Sequence, residues 1–77
     1  MPSDPWAQAD ATVLAALTDH PQTAGELHVD LPDAVVRAVL NQNVRAGTAA
    51  AHRNGARTAY TITENGRSHL ASVMEVA

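Results

Sequence analysis

Residues 32–63 read PDAVVRAVLNQNVRAGTAAAHRNGARTAYTIT, and the order of signals within them decides the fold. Pro32 suits the first position of a helix, where its missing N–H would have no partner anyway. Val36, Val39, Leu40 and Val44 then recur at helical spacing as one buried stripe, and Asp33, Arg37, Asn41 and Arg45 line the opposite side. Gly47 is a left-handed cap in the making, so the pattern predicts a helix over about 32–46. Beyond it, Thr48–His52 and Arg57–Thr63 are small, β-branched or aromatic, and they flank Arg53-Asn54-Gly55-Ala56. Asn-Gly between extended runs is a strong hairpin signal, because a type I′ turn needs positive φ at both central residues. A hairpin over 48–63 follows, with His52 opposite Arg57. Tyr60 and Ile62 face the core, and Arg57, Ala59 and Thr61 share the other face.

Working upstream, Thr23-Ala24-Gly25-Glu26 has the form of a capping box and predicts a short helix over about 24–29. Leu31-Pro32 turns the chain between this helix and the next. Before it, Asp4 can cap a first helix with Pro5 in its opening turn, and Trp6, Ala9, Val13, Ala16 and Leu17, with Leu14 beside them, form its apolar face to about residue 19. His20-Pro21-Gln22 ends that helix. Downstream, Thr63 caps a last helix over about 64–76 with Leu70, Val73, Met74 and Ala77 as its apolar stripe. Arg67 is expected to pair with Glu64 or to touch the backbone.

The expected architecture is one domain over 1–77, mainly α with a small β-hairpin: three helices, a two-stranded wing and a C-terminal helix, which is a winged helix-turn-helix. The stretches Thr23–Leu27, Val35–Leu40, Val44–Gly47, Arg53–Gly55 and Tyr60–Arg67 together resemble the small bacterial and archaeal winged-helix transcriptional regulators of the broad MarR-like, ArsR-like and PadR-like grouping. The resemblance spans about residues 11–70. It implies a DNA-binding function, with the third helix in the major groove and the wing on the backbone.

Charge points the same way. Residues 1–33 hold six acids (Asp4, Asp10, Asp19, Glu26, Asp30, Asp33) and no Lys or Arg, whereas residues 34–63 hold Arg37, Arg45, Arg53 and Arg57 with His52 and no acid. The net charge of -3 therefore conceals a dipolar chain, and a polyanion would meet the basic segment locally. On the third helix, Arg37 suits the O6/N7 edge of guanine and Asn41 the N6/N7 edge of adenine, while Ala34 and Ala38 let the helix approach the groove floor. On the wing, His52, Arg53, Asn54 and Arg57 are placed for phosphate or a narrow minor groove. Arg45 in the last turn complements the helix dipole and is the weakest of these DNA-contact candidates. The bland readings are an Asp33–Arg37 pair on a solvated helix face, and charge on edge strands that prevents aggregation.

Other classes find little support. No Cys is present, no His pair has ligand spacing among His20, His28, His52 and His69, and no nucleophile elbow or phosphate-cradling glycine loop occurs. The chain is expected not to be an enzyme and to need no metal or cofactor. Met1-Pro2-Ser3-Asp4 lacks the layout of a signal peptide and no apolar run suits a membrane, so a cytoplasmic protein is expected. Much of the 45% apolar content is Ala, with no Phe, one Trp and one Tyr, so the core should be thin. A homodimer with a seam on the last helix and Trp6 would add burial and match the symmetry of DNA half-sites. The expected partner is double-stranded DNA; the alternative is an acidic protein docked on the basic face of a winged-helix module that does not bind DNA.

Overall fold

The structure, a computed structural model, describes residues 5–76, with side chains through residue 72. Helix α1 (Pro5–Ala16) leads into strand β1 (Gln22–Thr23) and a 3-10 turn (Ala24–Glu26). Helix α2 (Asp33–Ala46), strands β2 (Ala49–Asn54) and β3 (Arg57–Ile62), and helix α3 (Glu64–Val76) complete the order. The result is a small mixed α/β domain of three helices and a three-stranded antiparallel sheet in the order β1-β3-β2.

Several elements match the expected ones, and others are corrected. The first helix stops at Ala16 and not near residue 19, because the chain turns so that the Thr18 carbonyl accepts the Ile62 N–H at 3.1 Å. Leu17 still reaches the core. Asp4, the expected cap of α1, lies outside the described residues. The expected helix over 24–29 is only the 3-10 turn, since so few residues gain too little from propagation to offset helix nucleation. Its capping box does form, with the Thr23 N–H donating to Glu26 Oε1 at 2.8 Å. In α2, Pro32 stands just before the helix as its cap residue, and its carbonyl accepts from Val35 and Val36 N–H, both at 3.0 Å. Gly47 closes the same helix in the left-handed region, φ 82°.

The sheet departs from a two-stranded wing in two ways. Strand β1 adds a third strand, pairing Gln22 with Tyr60 and Thr23 with Ala59. In addition, the hairpin turns one residue later than expected: Asn54 pairs with Arg57, so Gly55-Ala56 are the loop. Only Gly55 has positive φ (66°), and the first-position glycine fits a type II′ turn in place of type I′. His52 consequently pairs with Ala59, not with Arg57. Because the partner changes by two residues, the alternation of faces is preserved. Ala49, Ala51, Thr58, Tyr60 and Ile62 share one face, and Tyr60 and Ile62 pack on the core as expected.

That core is thin. Leu14, Leu40, Val13 and Val39 are its largest fully buried side chains, joined by Ala9, Leu17, Leu27, Val36 and Ala49. Trp6, expected on the buried face of α1, is instead 43% exposed. Asn43 takes an inward position that the sequence pattern did not assign and is 4% exposed. Its amide nitrogen donates to Asp10 Oδ1 at 2.6 Å and to the Val39 carbonyl at 2.9 Å, while Thr48 Oγ1 donates to Asn43 Oδ1 at 2.5 Å. One side chain thus ties α1, α2 and the root of the hairpin.

Helix α3 starts where Thr63 caps it, accepting the Gly66 N–H at 3.1 Å and donating to the Gly47 carbonyl at 2.7 Å. Leu70 packs against the core. The side chains of Val73 and Met74, and Ala77, lie outside the described residues. Arg67 pairs with Asp19 in the segment after α1, not with Glu64. Among the described residues no helix is long and apolar enough to cross a membrane.

Candidate nucleic-acid interface

The outer face of α2 follows from its inner one. With Val36, Val39, Leu40 and Asn43 buried, the helical period leaves Ala34, Arg37, Ala38, Asn41 and Arg45 exposed, and all five are. The two alanines keep the surface low between the longer residues. Arg37 Nη2 lies 3.3 Å from Asp33 Oδ2, one turn back; both side chains are about two-thirds exposed (69% and 66%), so solvent screens the pair heavily. The solvated-pair reading of this face is therefore realised, and it leaves Arg37 only lightly held. Arg45 occupies the last turn, where it complements the helix dipole.

Strand β2 packs against α2, and the tip of the hairpin shares a cleft with Arg37 in the first half of that helix. This open cleft, of about 590 Å³, lies between the 3-10 turn, Arg37, and the hairpin residues Ala56, Arg57, Thr58 and Tyr60. Of the nine expected contact residues, the cleft unites Arg37 and Arg57. His52, Arg53 and Asn54 are exposed nearby on the hairpin but do not line it, and Ala34, Ala38, Asn41 and Arg45 continue the helix face beyond it. His52 is not directly opposite Arg57 but lies diagonal to it on the same sheet face. The observed register puts Arg53 on the sheet face opposite to His52 and Arg57. His52 Nε2 instead lies 2.9 Å from Thr61 Oγ1, which fixes the ring against the sheet.

Sequence reasoning missed Glu26 as part of this surface. It borders the cleft, and its carboxyl is held below the ordinary value of 4.5 chiefly by the Thr23 backbone N–H, then by the Thr23 side chain. Burial opposes these bonds, and the guanidinium of Arg57 adds the smallest contribution, in the lowering direction. Local capping chemistry was visible in Thr23–Glu26; its place in the same cleft as Arg57 depends on the pairing of β1 with β3, which no local pattern encodes. Of the two arginines on the cleft, Arg37 is paired with Asp33, and Arg57 shares the cleft lining with Glu26.

No protein-family model matches this chain, and no curated protein is similar to it. Among the described residues no group of three or more His, Asp or Glu side chains could hold a metal ion.

Proposed function

We propose that this chain is a winged-helix protein that binds double-stranded DNA sequence-specifically and acts as a small transcriptional regulator. The observation that carries the reading is the outer face of α2. It is exposed, low in profile at Ala34 and Ala38, and carries Arg37 and Asn41, while the hairpin carries Arg53 and Arg57. In this reading α2 lies in the major groove. Arg37 leaves Asp33 for a guanine edge, an exchange favoured because an exposed pair contributes about 0–1 kcal/mol and a bidentate base contact about 1–3 kcal/mol. Asn41 reads adenine one turn on. Arg53, Arg57, His52 and Asn54 sit on phosphates or in the minor groove, and Arg45 adds a phosphate contact at the end of the helix. Two copies acting on symmetric half-sites would compensate for the few cations on each.

Fluorescence anisotropy tests the proposal, using duplexes from the region upstream of the coding sequence and a scrambled control across a salt series. Tighter binding to the upstream duplex, weakening with a slope near ~0.9 per phosphate contacted, is expected. Arg37→Ala should relax sequence preference, and Arg57→Ala should weaken binding to every duplex alike. Equal losses on both duplexes for both variants would defeat the assignment of Arg37 as a base reader.

One observation favours a second reading, a protein-binding module. Asp33 pairs with Arg37, and the Glu26 carboxylate lines the same cleft as Arg57, which disfavours phosphate there and suits a partner that presents charges of both signs. Absence of binding to any duplex at low salt would select it.

A further inference from the structure

Two asparagines of the chain precede a glycine, Asn54 before Gly55 and Asn65 before Gly66, and the fold treats them differently. An asparagine so placed can react with its own backbone. The amide nitrogen of the next residue attacks the side-chain carbonyl carbon and closes a five-membered imide ring. Glycine, with no Cβ to crowd the approach, hinders the closure least. The reaction requires a backbone nitrogen free of hydrogen bonding, a chain able to turn at that point, and access to water.

Asn65-Gly66 lacks the first two. The pair lies in the opening turn of α3, where the Gly66 N–H donates to Thr63 Oγ1 at 3.1 Å. Gly66 is also buried against the Thr48 carbonyl, so ring closure there requires the helix to open first. Asn54-Gly55 has all three. Asn54 ends strand β2, and Gly55 begins the two-residue loop with φ 66°. Both residues are exposed, and among the described residues neither the Gly55 N–H nor the Asn54 side chain has a hydrogen-bond partner.

We propose that Asn54 is a site of spontaneous intramolecular modification, which turns the amide at the hairpin tip into a carboxylate while the fold spares Asn65. The Gly55 nitrogen bonds to Asn54 Cγ, the Cγ–Nδ2 bond breaks, and ammonia leaves with the proton that Gly55 N gives up. Water then adds to one of the two imide carbonyl carbons and reopens the ring. The product is an aspartate, or an isoaspartate whose main chain runs through the former side chain. The new carboxylate stands across the ladder from Arg57 and next in sequence to Arg53, so it offsets part of the basic charge on the hairpin. An isoaspartate also lengthens the main chain at the pair that closes the loop, which disturbs the two-residue turn. One consequence rests on the DNA-binding reading: the carboxylate repels phosphate and weakens the hold of the wing.

The full chain is incubated in mildly alkaline buffer, with and without urea, then cleaved after arginine, and peptides 54–57 and 58–67 are weighed by mass spectrometry. In the folded chain the mass gain of amide-to-acid conversion should appear in 54–57 roughly tenfold or more faster than in 58–67, because only the opened fraction of the α3 turn reacts. In urea the two rates should converge. Asn54→Gln, whose ring closure would need six members, should lose the gain in 54–57 and keep that in 58–67. Equal rates in the folded chain, faster conversion of Asn65, or a lead of Asn54 that persists in urea would each overturn the proposal. Asn54→Asp tests the consequence for DNA: anisotropy should show weaker binding to every duplex, with a salt slope lower by roughly 0.9, and undiminished binding would overturn that consequence. The masses are read without DNA, so failure of the modification and failure of the DNA-binding reading are told apart.

Discussion

At Gly66 a methyl group would collide with the Thr48 carbonyl oxygen and come within 2.8 Å of Ile62 Cγ1. The first of these neighbours is backbone, so the clash can be relieved only by moving α3 off the hairpin root. Gly66→Ala should therefore cost about 1–3 kcal/mol in urea unfolding, as overpacking does. Gly25→Ala, with nothing within 4 Å of its added carbon, should cost far less. Gln22 shows the converse fault: its Oε1 is buried without a partner. Gln22→Leu should leave stability unchanged or raise it by about 1 kcal/mol, because an unsatisfied acceptor is removed with little change in volume. Glu26 ties stability to pH. Its folded carboxyl titrates below 4.5, so its contribution is present above that value and is lost as pH falls through the folded one. Denaturant midpoints of the wild type and Glu26→Gln should differ near neutral pH and converge in acid; a constant difference would dissociate the capping carboxylate from stability.

Among the elements, α2 was the most legible in the sequence, because its boundaries are written in residues with fixed backbone roles: Pro32 before it and Gly47 after it. Its exposed face could be read from the same periodicity, which is why the candidate DNA contacts on α2 all emerged exposed. The elements that local pattern misplaced are those whose geometry is set from a distance. Strand β1 has two residues and exists through pairing with Tyr60 and Ala59; α1 ends early because Thr18 answers Ile62; the hairpin turns at Gly55-Ala56 because Ala49 pairs with Ile62 at its base. The Asp10–Asn43–Thr48 connection likewise joins residues from different elements and left no sequence signal. At this scale the cleft makes a prediction about charge. Removing the carboxylate beside Arg37 by Asp33→Asn should strengthen binding to random duplex more than to a cognate one, since indiscriminate phosphate contact gains most from a freed arginine. Unchanged affinity for random DNA in anisotropy would mean that the acid does not restrain Arg37.

For the molecule as a whole, stability rests on few side chains. A domain of this length carries about 4–12 kcal/mol in total, and a buried Leu→Ala costs about 2–5 kcal/mol. Leu40→Ala, at the centre of the core, should leave a large unfolded fraction at 37 °C, visible as lost helical circular dichroism; a fully folded variant would show that the sheet or a second copy supplies more stability than the buried side chains suggest. The sheet order has a separate consequence for how the molecules treat one another. With β3 in the middle, β2 is left at the margin, and from Ala51 to Asn54 its residues are exposed. A marginal strand of small residues is a template onto which a neighbouring chain can add its own strand, and His52 and Arg53 are the side chains that interrupt it. Near pH 5.6, where the net charge vanishes, mutual repulsion is weakest. Turbidity of concentrated solutions should peak there, and replacing both His52 and Arg53 by Val should turn a reversible haze into fibrillar precipitate.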